Sequence, residues 1–187
     1  MVELEKRLFI GIPVSRKILP KLRDIQSSIV HIPGQIRWVP PEKFHMTLSF
    51  LGNVPFDDIP KLITDLENVL DYNHFSTSIE KTGVFPLAQF PKILWLGVGN
   101  GSQKLGELHE KIKKTAVSFM ASKKKGRFIP HITIGRATRS YRKSAVLPFL
   151  KYVYSPIELD VNSVALYSSQ LLPEGAEYKV LTEFALN

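Results

Sequence analysis

The chain has 187 residues, and 44% of them are hydrophobic, which is enough for a packed core in one domain or two small lobes. It contains no cysteine, which excludes disulfides, thiolate metal sites and a cysteine nucleophile. The formal net charge is +8, and twelve basic residues stand between Lys111 and Ile157 without a single acid. Such a one-sided charge favours an anionic partner, most commonly nucleic acid, although it is also compatible with a merely solvated face.

The N-terminal segment does not read as a membrane or export signal. The charged start, up to Arg7, leads into the apolar run Leu8–Ile12, which is too short for a signal peptide and has no small-residue cleavage site after it. No other stretch reaches the apolar length of a membrane span. We therefore expect a cytoplasmic protein with no membrane partner.

The first half of the chain predicts three strands and two helices. Pro20 is awkward inside a helix, so the first helix should begin near Leu19. The second helix has an apolar stripe at helical spacing, with Asp57 or Asp58 as its cap. The predicted strands are Arg7–Pro13, Ile36–Val39 and Phe44–Leu51, the last ended by Gly52 and Asn53, and the helices lie between Ser15 and Val30 and over Ile59–Leu70.

The second half repeats this mixture of helix and strand. A helix capped by Ser102 should end at the Lys123–Gly126 segment, and Tyr141–Leu150 is either a short helix or a loop. The predicted strands are Phe75–Lys81 and Lys92–Val98 around a turn-rich link at Gly83–Pro91, then Ile129–Gly135, and last Pro156–Leu166 and Tyr178–Leu186 joined through Pro173–Gly175.

Two strands carry the same short motif. One reads His45-Met46-Thr47-Leu48 and the other His131-Ile132-Thr133-Ile134. Strand alternation places each histidine on the same face as its threonine, while the apolar residues anchor the strand in the core. In the first strand the same rule assigns Ser49 to the histidine face and Phe50 to the core face.

Two such pairs suit the opening of a phosphodiester. One histidine can accept a proton from the attacking group and the other can donate one to the leaving oxygen, since the ordinary pKa of histidine is close to neutral. The threonine hydroxyls can bind the non-bridging oxygens, where charge grows in the transition state. Taken singly, a histidine or threonine in a strand is usually structural. A metal site is the poorer alternative because no third ligand lies nearby in sequence, so we predict neither metal nor cofactor.

At these residues the chain resembles the two-histidine phosphoesterases, and within them the RNA 2′,3′-cyclic phosphodiesterase family once called 2′-5′ RNA ligases. The stretch Arg37–Gly52 is similar to the first motif of that family with its lead-in, and Pro130–Arg136 is similar to the second. The opening Arg7–Ile12 and the closing run from Leu166 through Gly175 to Tyr178 also resemble family features. The resemblance therefore covers nearly the whole chain.

The resemblance implies a single two-lobed α+β domain over residues 1–187, a duplicated fold with a pseudo-two-fold axis. Two antiparallel sheets would line a central cleft, with helices on the outside. It also implies that His45 donates the proton, that His131 accepts one, and that Thr47, Thr133 and Arg136 bind the phosphate. The reaction would convert a 2′,3′-cyclic phosphate to a 2′-phosphate, with possible reverse 2′-5′ ligation of tRNA halves. The expected partners are RNA ends or cyclic nucleotides, and the expected form is a monomer.

Several alternatives remain open from the sequence. The substrate could instead be a 2′-5′ oligoadenylate or a cyclic phosphate on ADP-ribose. The chain could also be a non-catalytic sensor of RNA ends, or a basic RNA-binding protein in which the histidines are incidental. The basic residues Lys123–Arg127, Arg139, Arg142 and Lys143 surround the second motif in sequence and would flank one rim of the cleft, where they could attract an RNA tail.

Overall fold

The computed structural model describes residues 4–28, 36–120, 126–137, 146–173 and 175–187. Within these ranges the chain forms nine strands and four helices. The strands are β1 (Glu5–Pro13), β2 (Ile36–Trp38), β3 (His45–Pro55), β4 (Phe75–Leu87), β5 (Phe90–Val98), β6 (His131–Ala137), β7 (Ile157–Val161), β8 (Ser163–Leu172) and β9 (Gly175–Ala185). The helices are α1 (Leu19–Ser28), α2 (Ile59–Val69), α3 (Ser102–Ala116) and α4 (Val146–Leu150).

The strands form two antiparallel halves that meet at their innermost members. One half has the order β3-β1-β8-β9 and the other β6-β5-β4-β7, with β2 added to β6. The halves are joined through the pairing of Met46 in β3 with Ile132 in β6. The predicted α+β class is confirmed. The two expected antiparallel sheets are joined at this pairing, so they form one continuous, curled sheet of nine strands.

Apolar residues on one face of the sheet pack against the helices. Met46 and Ile132 are fully buried at the join, and Leu62 of α2 and Leu108 of α3 are fully buried in the same cluster. Burying one such side chain stabilises the fold by about 1.5–3 kcal/mol. Because α3 packs on β3 and on α2, the strand that carries the first motif is supported from behind. Within the described residues, no helix combines the length and the apolar character needed to cross a membrane.

Helix α1 begins at Leu19 as predicted, and Asp58 occupies the N-cap position of α2 as predicted, whereas the predicted cap of α3 at Ser102 is wrong. Asp58 precedes α2 without a side-chain hydrogen bond to the helix. Ser102 is the first residue of α3, and the cap is Gly101, whose φ of 80° suits glycine. Helix α3 also ends earlier than predicted, at Ala116, where a 3₁₀ turn follows at Val117–Phe119.

Three of the predicted strand boundaries are wrong as well. The glycine at position 52 does not end β3, because the chain passes it at a φ of 81° and stays paired up to Pro55. The link predicted at Gly83–Pro91 is mostly paired strand, so β4 and β5 turn between Leu87 and Phe90. The strand predicted at Pro156–Leu166 is two strands, and β7 pairs with β4 in the other half of the sheet. Of Tyr141–Leu150, α4 is helical and residues 141–145 lie outside the described ranges.

Candidate active site

The two motif histidines open the two innermost strands of the sheet. His45 is the first residue of β3 and His131 the first of β6, and each precedes the residue that joins the halves. In an antiparallel pair, residues one step to either side of a matched pair also face each other. This register places His45 beside Thr133 and Thr47 beside His131. Each histidine therefore stands next to the threonine of the other motif, as a two-fold axis at the join requires.

A cleft of about 630 Å³ lies over this join, and all five predicted site residues line it. These are His45, Thr47, His131, Thr133 and Arg136. The cations Arg7, Arg37 and Lys43 also line the cleft, and none of its described lining residues is acidic. Within the described ranges, the hydroxyls of Thr47 and Thr133 make no hydrogen bond to the protein, and no three histidine, aspartate or glutamate side chains lie close enough to hold a metal ion. The cleft is thus built for an anion with exposed oxygens.

Both histidines are held in the same way. Nδ1 of His45 lies 2.8 Å from the carbonyl oxygen of Lys43, and Nδ1 of His131 lies 2.7 Å from that of Ile129. A carbonyl oxygen only accepts, so each Nδ1 carries a hydrogen and donates it. Nε2 is therefore the atom of each ring that gains or loses a proton. The same backbone bond, two residues back along each chain segment, gives the two histidines equivalent tautomers.

The surroundings lower the pKa of both histidines below its usual value. Burial is the largest cause for His45. The hydrogen bond that its Nδ1–H donates to the Lys43 carbonyl raises the pKa, and the charges of Arg136 and His131 lower it further. Burial also dominates for His131, again with a smaller contribution from Arg136. The charge on Arg136 acts on both rings, and the charge on His131 acts on His45. The two histidines and the arginine thus form one electrostatic unit.

Aromatic side chains flank each histidine. The ring of Phe9 lies 4.9 Å from that of His45, and Tyr178 meets the same imidazole edge-on at 4.9 Å. On the other side, Phe85 meets His131 edge-on at 5.0 Å and Trp95 lies 5.8 Å away. These walls bury the imidazoles, which is the main cause of their lowered pKa. Sequence reasoning missed them because they come from neighbouring strands, whose pairing partners it did not assign.

An extra residue in each motif strand changes which way the following side chains point. Ile10 and Gly11 are adjacent in β1, but their partners in β3, Ser49 and Thr47, are two residues apart. Leu48 is therefore an extra residue, a β-bulge. In the same way, Leu94 and Trp95 are adjacent in β5, but their partners in β6, Gly135 and Thr133, are two residues apart. Ile134 is therefore a bulge at the equivalent position of the second motif strand. Each bulge follows the motif threonine directly.

The bulges overturn the predicted alternation beyond the threonines. Phe50 was expected in the core and Ser49 on the histidine face, yet Phe50 is 56% exposed and lines the cleft while Ser49 is 7% exposed. Arg136 is the equivalent of Phe50 in the other half, since both stand five residues after a histidine. Regular alternation would aim Arg136 away from His131, and the bulge at Ile134 returns it to the cleft.

A helix side chain holds each bulge from behind. Nδ1–H of His109 in α3 donates to the carbonyl oxygen of Leu48 at 2.7 Å. In the other half, Nε2 of Gln26 in α1 donates to the carbonyl oxygens of Ile134 and Val39, both at 2.8 Å. Gln26 is 7% exposed, so these bonds are made in the interior. Neither residue was assigned a role from sequence, because nothing local in the chain indicates that a helix reaches these carbonyls.

The remaining histidines lie elsewhere. His74 is exposed and its Nδ1 bonds to the carbonyl oxygen of Asn187. His31 falls outside the described residues, as do most of the predicted basic rim residues: Lys123, Lys124, Lys125, Arg139, Arg142 and Lys143.

Glycine at position 83 makes room for the Trp95 indole. A Cβ at Gly83 would lie 2.1 Å from Cζ2 of Trp95. We expect Gly83→Ala to lower the free energy of unfolding by about 1–3 kcal/mol, since the ring or the strand must move. Activity should fall too, because this ring flanks His131. Gly106→Ala in α3 is the matched control, with nothing within 4 Å of the new Cβ, and should raise stability by about 0.5–1 kcal/mol. Thermal unfolding that shifts equally in both variants would contradict this account.

The chain is similar to proteins of known family over almost its whole length. The sequence model of the 2′-5′ RNA ligase superfamily matches residues 21–171. An Aquifex aeolicus protein named RNA 2′,3′-cyclic phosphodiesterase is 33% identical over 186 residues, covering 96% of this chain and 97% of that protein. A Thermotoga maritima protein of the same name is 32% identical over 179 residues, covering 95% and 94%.

Solved structures show the same architecture. A Thermus thermophilus protein matches with a TM-score of 0.77 at 25% identity, covering 96% of this chain and 97% of the other. Escherichia coli LigT, crystallised with 3′-AMP, matches with a TM-score of 0.79 at 21% identity, covering 98% and 99%. At that identity the second likeness is one of fold alone.

Proposed function

This chain belongs to the 2′-5′ RNA ligase superfamily, and from that premise we propose that it opens a 2′,3′-cyclic phosphate at the end of RNA or a nucleotide to leave a 2′-phosphomonoester. It is an enzyme, a hydrolase of the kind that its curated relatives are named for. The observation that carries the specific reaction is the pair of histidines, each with Nδ1 bound to a backbone carbonyl and Nε2 left to exchange a proton. Such a pair supplies one acid and one base across a single cleft.

In the proposed mechanism, neutral His131 accepts a proton from water through Nε2 as the water oxygen attacks phosphorus. The bond between phosphorus and the 3′ oxygen breaks, and protonated His45 donates its Nε2 proton to that oxygen. The products are a 2′-phosphate and a 3′ hydroxyl. At the end of the turnover His131 is protonated and His45 neutral, so each must exchange a proton with solvent before the next cycle. With the 5′ hydroxyl of a second strand in place of water, the same steps would form a 2′-5′ phosphodiester and release the 3′ hydroxyl, which is the chemistry of 2′-5′ ligation.

The hydroxyls of Thr47 and Thr133 are proposed to donate hydrogen bonds to the two non-bridging oxygens. Arg136 adds a positive charge on the same side, where it can form a charge-assisted hydrogen bond to the phosphate. These donors sit on paired strands, so they need little reorganisation as charge develops. We propose that they do this work without a metal ion. The exposed ring of Phe50 in the same cleft suits a nucleotide, because a base can stack on an aromatic face.

We further propose that residues 1–187 act as one two-lobed domain and as a monomer in the cytoplasm. Both histidines and both threonines of the site come from one chain, and one cluster of buried apolar residues runs through both halves.

The deciding experiment is hydrolysis of 2′,3′-cyclic AMP in excess chelator, with the product isomer identified. Turnover to 2′-AMP would support the proposal, and a requirement for metal or release of 3′-AMP would refute it. If 2′,3′-cyclic AMP is bound tightly without turnover, the chain is a sensor of RNA ends instead. A 2′-5′ oligoadenylate and ADP-ribose cyclic phosphate serve as competing substrates in the same assay.

The pH dependence should place the optimum on the acid side. The base must be neutral and the acid protonated, so kcat/KM should be bell-shaped and maximal midway between the two apparent pKa values of the pair. Because burial and Arg136 lower the pKa of both histidines, the maximum should lie below the ordinary histidine value of about 6.5. Arg136→Gln removes one lowering charge and should move the bell to higher pH, whereas Arg23→Gln on the outer face of α1 should not. An unmoved bell in Arg136→Gln would contradict the coupling.

A further inference from the structure

Two arginines face each other in the wall of the cleft. Arg37 in β2 pairs directly with Arg136 in β6. Directly paired residues of antiparallel strands point to the same face, and like charges in that position are destabilising. Both side chains are exposed and both line the cleft. Within the described parts of the chain neither guanidinium has a carboxylate partner. Anions bound at the two guanidinium groups would offset this repulsion.

The strand that carries Arg37 is held in place from its other face. Gly135 leaves the space that Ile36 and Trp38 fill, since a Cβ there would lie 2.7 Å from Cγ2 of Ile36 and 3.1 Å from Cε3 of Trp38. These two neighbours of Arg37 pack behind β6, so alternation turns Arg37 toward the cleft. The position of the second arginine is therefore set by the packing of a short strand.

The two arginines do not stand in the same relation to the histidines. The charge of Arg136 lowers the pKa of both His45 and His131, whereas Arg37 is not among the causes of either shift. The strand order gives the geometric reason, since Arg136 shares β6 with His131, whereas Arg37 lies one strand farther out, on β2. A cyclic phosphate carries one negative charge on two non-bridging oxygens. Thr47, Thr133 and Arg136 already match those oxygens and that charge. The other cations of the cleft are Arg7, Lys43 and Arg37, and of these Arg37 is the one that pairs directly with Arg136.

We propose that Arg37 binds the internucleotide phosphate that precedes the cyclic phosphate, so that the site is built for the end of an RNA strand rather than for a free cyclic nucleotide. The inference rests on the proposed function. An internucleotide phosphodiester is the next anion along the strand, and a guanidinium pairs with its two free oxygens in a forked arrangement. Arg136 and Arg37 would then hold successive phosphates, and this second contact would select polynucleotide ends.

The test compares kcat/KM for 2′,3′-cyclic AMP with that for a diadenosine dinucleotide ending in a 2′,3′-cyclic phosphate. Wild type should prefer the dinucleotide, and a dinucleotide with an uncharged methylphosphonate linkage should lose the preference. Arg37→Gln should lower the ratio of kcat/KM for the dinucleotide to kcat/KM for 2′,3′-cyclic AMP by about 10-fold or more, the usual effect of losing a hydrogen bond to a charged group. Arg37→Lys, which keeps the charge without the fork, should retain part of it.

Two further variants separate the outcomes. Arg136→Gln should lower kcat/KM for both substrates and leave their ratio unchanged, and Arg23→Gln should leave the ratio unchanged as well. Equal loss on both substrates in Arg37→Gln, or a wild-type protein without preference for the dinucleotide, would overturn the second phosphate site while the proposed function stands. No turnover of either substrate by wild type would overturn the proposed function, and this inference with it.

Discussion

Replacing either motif histidine by alanine should lower kcat for a 2′,3′-cyclic phosphate by about 10²–10⁴-fold, the range typical of a lost general acid or base. The effect should be nearly equal for His45→Ala and His131→Ala, since both rings donate Nδ1–H to a backbone carbonyl and both leave Nε2 as the atom that can exchange a proton. The double variant should be little worse than either single one, because residues that act as one unit are not additive. Initial rates with a 2′,3′-cyclic nucleotide measure all three.

His74→Ala is the matched control for this pair. Its ring is exposed and bonds to the carbonyl oxygen of Asn187, outside the cleft. Activity should be unchanged. If His45→Ala or His131→Ala retains full activity while folded, the acid–base assignment is wrong and the hydrolysis is carried by other groups. The pH profiles distinguish the roles, since each variant should lose one limb of the bell: His45→Ala the alkaline limb and His131→Ala the acid limb.

Replacing Gln26 by leucine should destabilise the fold and lower activity together. Leucine has a similar volume but cannot donate, so the carbonyl oxygen of Val39 would lose its bond and that of Ile134 would keep only the backbone bond from Val39. A buried acceptor without a partner costs about 1–3 kcal/mol, so the free energy of unfolding should fall by that amount. Denaturant unfolding measures it. Activity should fall too, because the bulge at Ile134 aims Arg136 into the cleft.

Gln103→Leu offers the same substitution in a different setting. Gln103 lies on the exposed face of α3, where its amide bonds to the carboxylate of Glu107 at 3.0 Å. The expected change in stability is within about 0.5 kcal/mol, with full activity. Equal changes in the two variants would mean that the buried bonds of Gln26 add nothing to stability, and its anchoring role would be wrong.

The sequence predicts the motif strands well as far as the threonines. Met46 and Ile132 are fully buried and the polar pairs line the cleft, as a period of two requires. Helix α1 could be placed at Leu19 because proline is tolerated only in the first turn. These features depend on neighbouring residues alone, so a single sequence contains them.

What the sequence did not reveal depends on partners that are distant in the chain. The bulge at Leu48 is visible only against the register of β1, and its carbonyl is bound by a side chain 61 residues later. The crossing of β7 to the other half depends on its pairing with β4. The family resemblance indicates Arg136, whereas alternation alone would point its side chain to the face away from His131. A role for Arg37 can be inferred only once Arg136 is known to be its cross-strand partner.

The two bulges make the spacing of the cleft-facing residues irregular along β3 and β6. From each histidine, the residues that face the cleft follow at a step of two and then a step of three, to Phe50 in one half and to Arg136 in the other. The two halves thus have the same spacing of cleft-facing residues, but the last residue differs: it is an aromatic ring in one half and a positive charge in the other. On a regular strand with the same residues, the histidine and the threonine would still face the substrate, but Arg136, five residues after His131, would point to the opposite face. A copy of the motif placed on a regular strand would therefore be an incomplete site, however faithful its first four residues.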